Sequence, residues 1–342
     1  MTVILDKILV LGPAWVGDMV LAQSLFKTLK ANQPDCIIDV AAPAWTLPLL
    51  ERMPEVSGKI ALPFKHGELA FWQRIRFGKS LKNAGYSQAI ILTNSFKSAL
   101  LPWAAGIPRR TSFLGEMRYG LLNDIRELDK TKFKKTVERF VTLGLNKDAS
   151  LPKTIPNPYL NSAPETAWIL ASKLGVLDNN SKILSLCPGA EYGEAKRWPA
   201  EYYAVVANHA LKNGWQVLLF GSVADVPVTS QINALTQNKC VDLGGKTKLG
   251  EAIDLMSICD TVISNDSGLM HVAAALNKNL VAIFGSSDPY HTPPMNSHAK
   301  IEYLGLECSP CFQRECPLGH FNCMKNIPAN NIIKLINWRA TQ

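Results

Sequence analysis

Hydrophobic positions along the chain fall in short continuous runs of Ile, Val and Leu, separated by longer amphipathic stretches. The runs predict strands at Lys7–Gly12, Ile37–Ala41 and Gln88–Thr93, and again at Lys182–Cys187, Trp215–Gly221, Thr261–Ser264 and Leu280–Gly285. Strands that are apolar on both faces are buried on both, as in a parallel sheet covered by helices. Helical spacing fills the intervals at Met19–Lys30, Ala200–Asn213 and Gly268–Leu276. Regular alternation of strand and helix predicts an α/β protein with doubly wound sheets. The pattern breaks once, where Leu151–Pro164 carries Pro152, Pro156, Pro158 and Pro164, a linker composition. It restarts with a helix at about Glu165–Leu174 and closes with one at Ala329–Arg339. Two Rossmann-like domains, 1–160 and 161–342, are expected, with a ligand cleft between them at the carboxyl ends of the strands.

Composition narrows the classes. A chain of 342 residues suits two cores, and 47% hydrophobic with 19% charged residues is a globular balance. No run of 18 apolar residues is present, so no transmembrane helix is expected. The stretch Met1–Gly12 lacks a basic start and is interrupted by Asp6 and Lys7, which argues against a signal peptide and for the cytoplasm. The net charge is +8 and lies in the first half: residues 1–160 hold 22 Lys+Arg against 13 Asp+Glu, or +9. Between Lys65 and Arg139 the ratio is 15 to 6, including Arg74, Arg76, Arg109, Arg110, Lys132, Lys134 and Lys135. Such an excess suits a phosphorylated substrate, an anionic membrane or nucleic acid. The basic residues are not interleaved with aromatics and no nucleic-acid module is recognisable, so no nucleic-acid partner is expected.

Four motifs carry chemistry. Gly12-Pro13-Ala14-Trp15-Val16-Gly17-Asp18 follows the first strand and opens a helix. There Asp18 reads either as a helix N-cap or as a general base taking a proton from a hydroxyl. Its spacing is neither a dinucleotide fingerprint nor a P-loop, which sets aside an NAD-dependent oxidoreductase. Pro188-Gly189-Ala190-Glu191-Tyr192-Gly193-Glu194-Ala195-Lys196-Arg197-Trp198-Pro199 joins a glycine-bearing loop and two cations to a helix N-terminus. That combination is an anion site, with Lys196 as the mobile charge, or else a solvated loop. Ser264-Asn265-Asp266-Ser267-Gly268-Leu269-Met270-His271 again runs from strand to helix, with Asp266 and Ser267 placed to cap it. A diphosphate can dock on its free N–H groups, and Phe284-Gly285-Ser286-Ser287-Asp288-Pro289 adds a second polar turn for a nucleotide cradle. Last come Cys308, Cys311, Cys316 and Cys323 with His320 among them, reduced thiols or a metal site whose spacing matches no standard zinc finger.

Together these motifs resemble the ADP-heptose:lipopolysaccharide heptosyltransferases, a family of GT-B glycosyltransferases, over nearly the whole chain. Asp266-Ser267-Gly268-Leu269-Met270-His271 is specific to that family, and Lys196-Arg197-Trp198-Pro199 moderately so. The type I members have Ser-Ser-Met before the Gly-Asp pair. Here Ala14-Trp15-Val16 and the cysteine-bearing tail look like the type II branch.

The resemblance implies an inverting transfer of L-glycero-D-manno-heptose from ADP-heptose to an inner core already bearing one heptose. A type I or III acceptor is the alternative. By position, Asp18 matches the general base and Lys196 the lysine on the donor diphosphate. Gly189, Asp266, Ser267 and Gly268 fall in donor phosphate loops, His271 matches a donor-site histidine, and Asp225 matches, weakly, an acid that holds the donor ribose. No metal or cofactor is implied. The expected enzyme is a cytoplasmic monomer with an acceptor-binding first domain, a donor-binding second domain and peripheral contact with the anionic inner membrane.

Overall fold

The computed structural model describes residues 6–64, 67–176 and 180–338; Met1–Leu5, Lys65 and Arg339, all used in the sequence reading, lie outside them. The chain divides into two compact units, Met1–Pro158 and Tyr159–Gln342. In the first, β1 (Lys7–Leu11), α1 (Val16–Asn32), β2 (Ile37–Pro43), α2 (Leu47–Leu50), β3 (Gly58–Leu62) and α3 (Phe71–Ser80) come first. They are followed by β4 (Gln88–Ile91), α4 (Phe96–Ala104), β5 (Arg109–Phe113), β6 (Asp124–Arg126) and α5 (Thr136–Leu143). The second unit begins with α6 (Pro164–Lys173), β7 (Ile183–Cys187), α7 (Ala200–Lys212), β8 (Gln216–Leu219), α8 (Val226–Leu235), β9 (Val241–Asp242) and α9 (Leu249–Ser257). It continues with β10 (Thr261–Asn265), α10 (Gly268–Ala275), β11 (Asn279–Ile283), β12 (Ala299–Glu302), α11 (Asn322–Lys325) and α12 (Ala329–Leu335). Among the described residues, no helix is long and apolar enough to cross a membrane.

Each unit holds one six-stranded sheet, and every pairing is parallel. The orders are β3-β2-β1-β4-β5-β6 and β12-β11-β10-β7-β8-β9. The continuous apolar runs of the sequence form the middle of each sheet, where β7 and β10 are buried along their whole length. The sequence reading missed β3, β5, β6, β9 and β12, which lie toward the sheet edges. Covered less, they keep polar or alternating residues, as in Gly58-Lys59-Ile60-Ala61-Leu62 and Arg109-Arg110-Thr111-Ser112-Phe113.

Three local findings differ from expectation. Helix α1 starts at Val16 with Trp15 as its N-cap, so Asp18 lies inside the first turn and is not the cap. The proline-rich segment is tied down: Ser24 Oγ donates to Pro156 O at 2.7 Å and Lys27 Nζ to Asn157 O at 2.7 Å. Several arginines of the basic stretch serve the fold. Arg109 pairs with Asp124 at 2.9 Å, and Arg110 donates to the carbonyls of Leu121 and Ile107. Arg118 is fully buried, donating to the carbonyls of Thr93, Phe113 and Leu114 and to Ser112 Oγ, and burial lowers its pKa to about 10. These side chains knit strand ends together, and of the three only Arg109 is exposed.

Candidate active site

In a doubly wound sheet the ligand crevice opens at the carboxyl ends of the two strands where the order reverses. In the second unit those strands are β7 and β10, because the chain proceeds from β7 outward to β8 and β9 and then crosses back to β10. The loops leaving them are Pro188–Pro199 and Asp266–Ser267, two of the motifs identified in the sequence.

One buried side chain aligns both loops. Asn265, at the end of β10, is inaccessible to solvent. Its Nδ2 donates to Pro188 O at 2.6 Å, and its Oδ1 accepts Trp198 N–H at 3.2 Å and Tyr203 O–H at 2.9 Å. Pro188 and Trp198 are the two ends of the glycine-bearing loop, so one amide fixes its span against β10. Trp198 is itself buried, with Nε1 donating to Ile327 O at 2.9 Å.

The span places Lys196, in a 3₁₀ turn at Glu194–Lys196, beside Asp266. Lys196 Nζ lies 2.5 Å from Asp266 Oδ2, and Ser287 Oγ donates to the same oxygen at 2.5 Å. The Lys196 cation also stands 5.0 Å from the centre of the Tyr192 ring. Asp266 therefore holds a cation at the mouth of α10, whose first N–H groups lack intrahelical acceptors. Ser267 is the N-cap of α10 but makes no side-chain bond to its backbone; its hydroxyl stands 3.2 Å from Ser264 Oγ. Gly268 is the first residue of the helix.

His271 lies one turn further on, below the surface, 5% exposed. Burial pushes its pKa down to about 4, the nearby Lys196 lowers it further and Asp266 opposes both, so the ring is neutral near pH 7. Among the described residues, the buried atoms His271 Nδ1, Ser286 Oγ and Arg197 Nε have no hydrogen-bond partner. All three belong to this loop cluster. Below pH 6.5 the unfolded chain binds a proton at His271 that the folded chain refuses, so its contribution to stability is lost as pH falls from about 6.5 to about 4. Wild-type protein is expected to lose about 2 kcal/mol more than His271→Gln between pH 8 and pH 5 in urea denaturation. Equal losses would show that the ring is not held neutral.

Gly189 and Asp225 meet in a second contact between loops. Asp225 Oδ2 accepts Ser222 N–H at 3.0 Å and Ser222 Oγ–H at 2.8 Å, and Oδ1 stands 3.5 Å from Arg197 Nη2. A Cβ on Gly189 would run into that carboxylate. Gly189→Ala is therefore expected to cost about 1–3 kcal/mol in denaturant unfolding. Most of that cost should vanish in an Asp225→Ala background; an undiminished penalty there would mean that the strain lies elsewhere.

In the first unit the reversal falls between β1 and β4. The turn after β1 carries Asp18, half-buried in the first turn of α1, where a carboxylate faces the positive end of the helix. Trp45, after β2, donates its indole N–H to Ala14 O at 3.0 Å and fixes that turn. Among the described residues, no group of three or more His, Cys, Asp or Glu side chains is arranged to hold a metal ion. The cysteine-bearing segment packs on the loop after β7 and on the turn at Ser286. Phe312 N donates to Ser286 O, Tyr192 O–H to Phe312 O and Ala195 N to Arg314 O, at 2.7, 2.7 and 3.0 Å.

Asn265 and Ser287 escaped the sequence reading as site residues. Asn265 sits inside the motif that runs from Ser264 to His271, but its partners at 188, 198 and 203 are far away in sequence. Ser287 was part of a polar turn with nothing to show which oxygen it would meet.

The model of glycosyltransferase family 9 (heptosyltransferase) matches residues 74–322. The chain belongs to this family. It is a glycosyltransferase with the two-sheet α/β architecture of GT-B enzymes. It is 46% identical over 340 residues to lipopolysaccharide heptosyltransferase 2 of Escherichia coli K12, covering 97% of each chain. It is 45% identical over 307 residues to lipooligosaccharide heptosyltransferase 2 of Haemophilus influenzae, covering 86% of this chain and 88% of that one. The solved structure of E. coli ADP-heptose lipopolysaccharide heptosyltransferase II superposes with a TM-score of 0.87 at 41% identity, over 96% of this chain and 97% of that one.

Proposed function

We propose that this heptosyltransferase moves L-glycero-D-manno-heptose from ADP-heptose to the first heptose of the lipopolysaccharide inner core, with inversion at the anomeric carbon. The observation that carries the donor side is the Lys196–Asp266–Ser287 cluster at the reversal point of the second sheet. A cation held beside open helix N–H groups suits a diphosphate. The second unit binds the donor and the first binds the acceptor.

The acceptor hydroxyl gives its proton to the Asp18 carboxylate while its oxygen bonds to the anomeric carbon. The bond from that carbon to the diphosphate oxygen breaks, and its electron pair leaves with ADP. Negative charge grows on the leaving diphosphate, where Lys196 and the first turn of α10 stabilise it more strongly than in the ground state. Ser267 and Gly268 present the backbone there, and Gly189 lets the facing loop approach. Asp225 and His271 serve the donor subsite, Asp225 by holding Arg197 and His271 as a neutral ring.

The enzyme works as a monomer in the cytoplasm, in peripheral contact with the anionic inner membrane that anchors its acceptor. The deciding experiment is ADP release from ADP-heptose with acceptors bearing no heptose or one heptose. Release only with the one-heptose acceptor supports this reading, and release only with the heptose-free acceptor replaces it with the type I reaction.

A further inference from the structure

Leu69, at the end of the connection from β3, and Phe71 and Trp72, the first residues of α3, are exposed apolar residues at 54%, 37% and 77% exposure. Phe71 and Trp72 pack edge to face with ring centres 5.1 Å apart. The tip is built, not loose. Arg74, 8% exposed, donates from Nε to Leu69 O at 2.8 Å and from Nη2 to Glu68 O at 3.1 Å, and its guanidinium lies 4.2 Å from the Phe64 ring centre. A buried cation is thus spent on fixing the backbone that displays Leu69.

Helix α3 is divided into two faces. Phe77 and Gly78 face inward, and a Cβ on Gly78 would come within 2.8 Å of the Ala104 Cβ, so α3 and α4 lie close together. Trp72, Arg76 and Lys79 follow at i, i+4 and i+7 on the exposed face, and exposed Lys82 comes just after the helix. Among the described residues no ion pair engages Arg76, Lys79 or Lys82. Glu68, the only acid from residue 65 to residue 109, stands beside Arg74 and offsets that buried charge. Arg110, Arg118 and Arg126 are engaged inside the fold and exposed Arg109 pairs with Asp124, whereas α3 presents positive charge outside these ion pairs next to exposed aromatic surface. The N-terminus of α3 follows the carboxyl end of β3, and in a parallel sheet that is the same edge as the turn carrying Asp18.

We propose that Leu69, Phe71 and Trp72 enter the headgroup region of an anionic phospholipid leaflet while Arg76, Lys79 and Lys82 face its phosphates. This names the surface for the peripheral membrane contact proposed above and rests on that reading. Aromatic side chains with an apolar body and a polar tip favour such interfaces, and clustered cations add attraction that salt screens.

The test is flotation of the full-length protein with phosphatidylcholine vesicles, with and without 30 mol% phosphatidylglycerol (about one lipid in three). Wild type is expected to float with the anionic vesicles at low salt and to bind the neutral ones at least tenfold more weakly. Trp72→Asp, and separately Arg76→Glu with Lys79→Glu, should each weaken anionic-vesicle binding tenfold or more. Each variant should keep its melting temperature and its rate of ADP release on a delipidated acceptor. Wild-type binding by both variants overturns the proposal, as does equal binding of wild type to the two vesicle types. A raised KM for delipidated acceptor with unchanged vesicle binding also overturns it, making the tip a glycan contact. A dimer that dissociates in Trp72→Asp would make it a surface between copies. Flotation uses no sugar, so it stands or falls separately from the heptosyl-transfer reading.

Discussion

Replacing Asp18 by Asn is expected to lower turnover about 10²–10⁴-fold, the usual effect of removing a general base. The fold should be spared, and the structure says why. Trp15, not Asp18, occupies the N-cap of α1, and Asp18 sits half-buried in the first turn. An amide there has the same shape, and losing the favourable meeting of a carboxylate with the helix N-terminus costs about 0.3–1 kcal/mol. Donor affinity should be unchanged, because the loops proposed to bind the donor belong to the other unit. The measurements are kcat at saturating ADP-heptose and acceptor, donor Kd by calorimetry, and melting temperature. Near-wild-type kcat would reduce Asp18 to a charge that stabilises its helix.

Lys196→Ala is expected to slow the chemical step about tenfold to a hundredfold, the cost of one charge-assisted contact that strengthens toward the transition state. This substitution has a structural side effect that must be separated out. Lys196 is the cation beside Asp266, and its loss leaves that buried carboxylate with Ser287 alone. Some loss of stability should therefore accompany it, and Lys196→Ala with Asp266→Asn should recover part of that stability without recovering rate. Single-turnover kinetics at saturating donor reads the rate constant directly. An unchanged rate constant with a raised donor KM would confine Lys196 to ground-state binding.

Both predictions depend on how loops meet, and sequence and structure contribute unequally to that. The apolar runs at 7–12, 183–187 and 261–264 identified central strands because a strand covered on both faces must be apolar throughout. The same physics made the turns after β1, β7 and β10 conspicuous, since a Gly, Pro or Asp cluster between a buried strand and a helix marks the point where the chain leaves the sheet. Local sequence thus determined the α/β class, and it pointed to a break near residue 160 and to the segments proposed to carry the chemistry. It left the outer strands unseen, because β5 and β12 are only partly covered and keep polar residues such as Arg109, Arg110 and Lys300.

Only the tertiary structure decided what those segments do to one another. Charge counting could not show that Arg109 pairs with Asp124 or that Arg110 donates to backbone carbonyls. Packing made α3 the carrier of exposed charge and exposed aromatic surface together. Asn265 is one amide in a turn until residues 188, 198 and 203 converge on it. The reason is physical: periodicity reports which side of an element is buried, but hydrogen bonds and ion pairs depend on distances between residues far apart in the chain, and only packing fixes those distances.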